Sequence, residues 1–333
     1  MIDSEELLNR YGAGERDFKG VVLESGNLVG SDLSGINLSG AILRGVSLAR
    51  ASLSRAVLSN ADLRDAFLYG ADLTWAKLQG ANLENADLTK ANLKSADLTG
   101  VNLRRGKLSG AVLRWVKLYR ADLREVNLCG ANLCGIILRS ANLREANLNW
   151  SNLSGARLSG AKLMDTQLNG AILSYAFLNG VHLEGVNLDG MDLTGSKLSG
   201  AYLREASLVG ANLKDAQLRS VILDGANLKS AQLMRACLSR GSLRGANLEQ
   251  ANLSQADLSQ ANLRAVYLKR SVLFEANLEE ADLQDALLWG TNLKGAKLKG
   301  ANFLGATLER LIIDWPQPDA IWDEAVRANI KSG

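Results

Sequence analysis

The chain has 333 residues, and its 38 basic residues nearly balance 35 acidic ones, leaving a net charge of +3 with a single histidine. That balance excludes a strongly acidic or strongly basic polyelectrolyte, and no stretch approaches the roughly 18 consecutive apolar residues that a membrane-spanning helix needs. Three cysteines, Cys129, Cys134 and Cys237, have no metal-binding spacing and read as reduced surface thiols.

In chain order, the first element is a short helix. Asp3 followed three residues later by Glu6 is a capping-box pattern, and the helix it opens ends near Gly12. Its Leu7, Leu8 and Tyr11 are spaced to cover whatever follows, so residues 1–15 read as an N-terminal helical cap. The start Met1-Ile2-Asp3-Ser4-Glu5-Glu6 lacks the basic residues and apolar run of a secretory signal, which sets the expectation of a cytoplasmic protein.

From Phe18 to Leu308 every fifth residue is Leu, with Phe standing in only at Phe18 and Phe303. A period of five fits neither regular element. In an α-helix five residues advance about 500°, so the Leu side chains would wander around the cylinder. In a flat strand an odd period would send alternate Leu to opposite faces. The chain must instead turn a corner every five residues, with Leu and the small residue two before it pointing inward and the other three positions facing water. Such self-similarity marks a solenoid, in which units enclose a core only by stacking.

The repeating unit, seen as Ala61-Asp62-Leu63-Arg64-Asp65 or Ala91-Asn92-Leu93-Lys94-Ser95, is the A(D/N)LXX pattern and resembles the pentapeptide-repeat family over residues 16–310. The run from Glu6 to Phe18 is similar to the opening of cyanobacterial members, which suggests kinship with the regulators of heterocyst differentiation. The resemblance implies an all-β solenoid, a right-handed quadrilateral β-helix with four pentapeptides to a coil and residues n and n+20 stacked. With coils about 4.8 Å apart, about fifteen coils would make a rod on the order of 70 Å long.

Past the repeat, Trp315-Pro316-Gln317-Pro318 breaks the pattern, and Asp319 reads as the N-cap of a helix carrying Ile321, Trp322, Ala325, Val326 and Ile330 on its apolar side. Residues 311–333 are therefore expected to be a C-terminal cap with a helix that covers an open strand edge. A monomer is favoured, and dimerisation through the C-terminal helix is the alternative. No Pro or linker interrupts residues 16–310, which read as one solenoid.

The search for chemistry finds none. A solenoid filled by Leu and Ala has no lumen for a substrate. His182, the lone histidine, sits at an outward position and reads as a solvated surface residue. One outward histidine leaves little from which to build a zinc site or a Ser/His/Asp arrangement. Carboxylate pairs such as Asp62 and Asp65 recur as part of the repeat, and no glycine pattern cradles phosphate. No catalytic residue, metal or cofactor is expected, and the chain is read as a non-enzyme.

Sorted by a spacing of twenty, the outward residues show one basic stripe, centred on Phe18, Leu38 and onward to Leu298. It includes Lys77, Lys117, Arg120, Arg139, Arg157, Lys197, Arg219 and Arg240. The next face, centred on Leu23 and onward to Phe303, interleaves Arg64, Arg124, Arg144 and Arg204 with Asp65, Glu125, Glu145 and Glu205, a ladder that reads as structural. Aromatic residues add a second signal, with Trp115 and Tyr175 at the corner leading into the stripe and Tyr119, Ile137 and Phe177 on it. Trp115, Lys117, Tyr119, Arg120, Arg139, Tyr175 and Phe177 are thus the candidate partner-binding residues, since aromatic and Arg side chains anchor interfaces.

The reading is a regulatory scaffold that docks a protein partner of unknown identity through the solenoid surface. One alternative is a gyrase-protecting DNA mimic, which needs an acidic surface, whereas residues 16–310 hold 35 basic and 27 acidic residues. The other is nucleic-acid binding through the basic face, which is disfavoured by the modest excess and the lack of a base-reading element.

Overall fold

The computed structural model describes residues 2–314 and 319–322, arranged in two compact units, Met1–Ile172 and Leu173–Gly333. Both are built from the same pentapeptide, and its backbone hydrogen bonds explain the period. Taking Leu43 as the central residue, its N–H donates to the Asp62 carbonyl at 2.8 Å, and the Ile42 N–H donates back to Val21 O at 2.8 Å. Parallel bridges join residues twenty apart, Ile42 to Asp62 and Lys117 to Ile137 in the first unit, Phe177 to Lys197 and Tyr267 to Leu287 in the second. Four pentapeptides therefore make one turn, as the family resemblance implies.

The corner is a β-turn. The N–H three residues after each central Leu returns to the Leu carbonyl, as in Ala41 N to Leu38 O at 3.0 Å, and the residue two after the Leu has positive φ. Gly40, at φ +66°, meets that requirement at no steric cost. Arg240 at +58° and Trp115 at +60° adopt it too, each at a cost of roughly 1–2 kcal/mol that the surrounding ladder offsets.

An account of N–H groups shows why Asp or Asn precedes the Leu. Within a pentapeptide the N–H groups two before, one before, at and two after the central residue all reach backbone carbonyls. The fifth, one after, has no backbone acceptor, and the Asp carboxylate or Asn carboxamide takes it, as in Thr89 N to Asp87 Oδ1 at 2.9 Å and Glu249 N to Asn247 Oδ1 at 2.9 Å.

The core is what the pattern demands. Leu at the central position and Ala or Val two before it are buried through nearly all of both units, with Val21 and Val186 only half-buried. A few inward positions hold hydroxyls, and Ser151, Ser271 and Thr291 each donate to a Leu carbonyl at 2.7 Å. Ser196 is the exception, fully buried with an Oγ that has no hydrogen-bond partner.

The N-terminal helix α1, Ser4–Gly12, forms as the sequence indicates. Asp3 caps it by accepting from the Glu6 N–H at 2.7 Å. Leu7 is buried and Leu8 and Tyr11 are half-buried, with the Tyr11 hydroxyl donating to Ser34 O at 2.8 Å. At the other end the expectation of a helix from Asp319 fails for the residues that can be described. Ile321 pairs in parallel with Asn302, its N–H donating to Ala301 O at 2.8 Å, and Trp322 stacks flat on Phe303 with ring centroids 4.2 Å apart. These residues extend the ladder because Phe303 N–H and Ala301 O would otherwise be open edges. The rest of the expected helix, 323–333, lies outside the described residues. Among the described residues no helix is long and apolar enough to cross a membrane.

Two substitutions check the inward assignment. Leu123→Lys puts a charge into the apolar interior and should lower stability by several kcal/mol; a thermal midpoint within about 2 °C of the parent would refute the solid core. Ser196→Ala removes an unsatisfied buried hydroxyl and should stabilise by about 1 kcal/mol in urea titration, whereas a loss would mean the hydroxyl is bonded.

Candidate protein-interaction surface

In the first unit the column of residues just before Leu98, Leu118, Leu138 and Leu158 runs Asp97, Lys117, Ile137, Arg157 through successive bridges. After Asp97 this column contains no Asp or Asn. The N–H groups of Tyr119 and Arg139, which such a residue would have capped, have no acceptor among the described residues. Side chains gather around this gap. Lys117 Nζ is 3.9 Å from Asp97 Oδ2, the Arg120 guanidinium lies 4.9 Å from the Tyr119 ring centroid, Arg139 is exposed and Ile137 is half-buried.

Trp115 occupies the adjoining corner, half exposed at 50%. Its ring lies over Gly135 in the next coil, where an added Cβ would come within 2.7 Å of Trp115 Cδ1, and Arg114 and Lys94 approach it at 4.7 and 5.4 Å. The first unit thus brings together Trp115, Lys117, Tyr119, Arg120 and Arg139. Cations, aromatic edges and two outward N–H donors suit a partner rich in carboxylates and carbonyls.

Tyr175 and Phe177 belong to the second unit. Tyr175 is 63% exposed at φ +58° and lies over Gly195, and Phe177 is half-buried under Lys197, whose Nζ is 4.6 Å from its ring centroid. His182 is exposed but held, stacking on Tyr202 at 4.3 Å with Nδ1 2.9 Å from Glu184 Oε1.

On the neighbouring face Arg64, Arg124 and Arg204 pair with acids that are not their immediate sequence neighbours, while Arg144 meets Met164 Sδ at 3.5 Å. Arg64 pairs with Asp62 at 2.7 Å, not with Asp65, and Arg44 reaches the same Asp62 from the preceding coil at 2.6 Å. Arg104 and Arg105 both bind Glu125 at 2.8 Å, while Arg124 turns back to Asp122. The Arg64 and Arg44 hydrogen bonds hold the Asp62 carboxyl well below the usual carboxylate range. A residue one after Leu can fold over the acid two before it on the same outward row, which the residue at the corner cannot.

Sequence reasoning missed other large apolar residues on the surface. Trp75, Phe67 and Trp150 are exposed, Trp150 packing over Gly170 as Trp115 does over Gly135. Tyr267 and Leu287 also replace the usual Asp or Asn and are exposed beside Trp289. The signal was available, since each breaks the repeat at a position that ordinarily holds Asp, Asn, Gly or Ser. Among the described residues no group of His, Cys, Asp or Glu is placed to hold a metal ion.

The family model of pentapeptide repeats matches this chain in successive segments from residue 17 to residue 310. The chain is a pentapeptide-repeat protein. It is similar to HetL from the cyanobacterium Nostoc sp. strain PCC 7120, described as involved in the regulation of heterocyst differentiation, at 33% identity over 93% of this chain and 98% of that one, with a TM-score of 0.22. Rfr23 from the cyanobacterium Cyanothece 51142 is 25% identical over 49% of this chain and 91% of its own, with a TM-score of 0.19. QnrB1, a plasmid-mediated fluoroquinolone resistance protein, is 18% identical over 60% of this chain and 93% of its own, with a TM-score of 0.34. No curated protein matches the chain. The fold of this pentapeptide-repeat protein is the right-handed β-helix solenoid.

The Asp62 cluster gives a pH prediction for this pentapeptide-repeat protein. Because the folded carboxyl titrates below its unfolded value of about 3.9, its stabilising contribution is present above that value and is lost as pH falls through the folded one. Asp62→Asn should therefore cost up to about 1 kcal/mol at pH 7, limited by solvent screening at a surface pair, and the gap from the parent should narrow below about pH 4. Urea melts showing the same gap at pH 7 and pH 3 would contradict this.

Proposed function

We propose that this pentapeptide-repeat protein is a non-enzymatic regulatory scaffold that binds a protein partner through the basic stripe of its first unit. The observation that carries the reading is the lapse of the Asp/Asn column at Lys117 and Ile137. There the repeat gives up its own N–H caps and presents Trp115, Lys117, Tyr119, Arg120 and Arg139. Replacing a capping residue by Lys or Ile forgoes a local hydrogen bond, and what the surface gains is recognition chemistry: anchors, cations and open donors. On the second unit, Tyr175 and Phe177 are anchors of the same kind.

The partner this surface suits carries an acidic or mixed face. The likeness to HetL supports a regulatory role, carried by the family and the identity between the two chains. A DNA-mimicking role is opposed by the basic excess over residues 16–310, and duplex binding by the absence of an element that would read base edges. We infer a cytoplasmic protein that acts as a monomer without cofactor.

The test uses variants that return each position to the residue the repeat prefers, so that the fold is kept. Trp115→Gly with Lys117→Asn should weaken partner capture by about 2 kcal/mol, or roughly thirtyfold, with thermal stability no lower than the parent's. Arg120→Glu should mainly slow association and reduce its salt dependence. Arg144→Glu, on the neighbouring face, is the control. Equal recovery of partners from the native cytosol by parent, stripe variants and control would sink the assignment.

A further inference from the structure

The second unit carries a separate surface that the basic stripe does not include. In three consecutive coils the residue before the central Leu is Tyr267, Leu287 and Thr307, joined by parallel bridges, where Asp or Asn is the rule. Three successive N–H groups, those of Lys269, Trp289 and Glu309, consequently have no acceptor among the described residues. In every repeat that keeps its Asp or Asn, this N–H is reached by an outward side chain, so here the three donors look outward in a row, about 4.8 Å apart.

Beside them lies a cleft of about 260 Å³ lined by Glu249, Tyr267, Lys269, Leu287, Trp289 and Thr307. Its floor is apolar, with Tyr267 44% and Leu287 40% exposed. Its rim is cationic, since Lys269, Arg270 and Arg310 all stand over the Trp289 ring at 5.0–5.2 Å. None of these three cations forms a salt bridge among the described residues, whereas the acid on the near side, Glu249, is met by Lys229 at 3.9 Å. Glu309 stands at the far end of the column, one residue from Arg310.

Three cations converging on one indole repel one another. Gly290 lies at the corner position between Arg270 and Arg310, so no corner side chain comes between them in their own column. Resting on the reading of the chain as a binding scaffold, we propose that this cleft docks an extended acidic segment of a partner protein. One bulky apolar side chain of that segment packs between Tyr267 and Leu287. Its carbonyls accept from the row of open N–H groups, and its carboxylates pair with Lys269, Arg270 and Arg310. Single-stranded nucleic acid fits less well, because a base stacking on Trp289 would compete with Lys269, Arg270 and Arg310 for the same ring.

The probe is a fluorescein-labelled synthetic peptide of about eight residues, Asp and Glu around a central Phe, titrated against the full chain by anisotropy. The matched variant is Tyr267→Asn with Leu287→Asn, which installs the residue the repeat itself uses and restores the N–H caps. It should fold and melt like the parent and bind the peptide at least about tenfold more weakly. Replacing the central Phe of the peptide by Ser should have a similar effect. The rim is tested by Arg270→Gln with Arg310→Gln, which should weaken binding and flatten its salt dependence.

Three results would overturn the proposal: no binding of the peptide to the full chain, equal binding by parent and the Asn double variant, or loss of oligothymidylate binding in that variant in place of peptide binding. The stripe of the first unit is tested with different residues, so failure here leaves that reading standing.

Discussion

The backbone bond from a central Leu N–H to the carbonyl nineteen residues later, repeated within each unit, is the constraint on which the rest of the structure depends. It is short and repeated, 2.7 Å from Leu38 to Val57 and from Leu208 to Asn227. With the return bond from the residue before each Leu, it holds coil against coil. Once that spacing is set, the inward side chains must fill the interior at every level. Leu with Ala or Val does this in most repeats, and Ile36, Ile136 and Met191 fill the same inward position two before the Leu.

The same ladder decides what the surface can be. Four of the five N–H groups in a pentapeptide are used by backbone, so only one is left for side chains, and Asp or Asn before the Leu serves it. The repeat can therefore change that residue only by leaving a donor open or by capping it from the preceding coil, as Asn179 Oδ1 does for the Ser199 N–H at 3.1 Å and Asp224 Oδ1 for the Arg244 N–H at 3.1 Å. A run of such changes is informative in a way that a single exposed apolar residue is not. The runs at Lys117 and Ile137 and at Tyr267, Leu287 and Thr307 differ in this respect from isolated substitutions such as Val112, which is followed by Asn132 and Asn152 in its column.

Much of this was legible in the sequence, because period five excludes helix and flat strand and because Leu and Ala alternate with polar residues without a slip from Phe18 to Leu308. The N-terminal cap was legible too, since Asp3 and Glu6 carry their own local signal. The partners of the arginines were not. Whether Arg64 turns to Asp62 or Asp65 depends on which side of a corner each lies, and sequence adjacency carries no such information. Ile321 was misread for a related reason: an apolar spacing that suits a helix also suits a strand when an unpaired edge, here at Asn302, is waiting for it. The cleft beside Trp289 went unnoticed because its parts come from successive coils and only stacking brings them together.

Corner aromatics show how the fold and its surface trade against each other. Trp115, Trp150 and Tyr175 take positive φ, a conformation that costs a non-glycine residue roughly 1–2 kcal/mol. Each has glycine at the equivalent corner of the next coil, Gly135, Gly170 and Gly195, and each ring occupies the space where a Cβ would otherwise stand. The glycine thus gives the ring a flat backbone to lie on, which recovers part of the strain through contact while leaving half or more of the residue exposed. An aromatic residue supported on one side and open on the other is rigid before any partner arrives, so little side-chain entropy remains to be lost on binding. The pairing of a corner aromatic with a glycine twenty residues later is therefore a pattern that serves stacking and recognition at once.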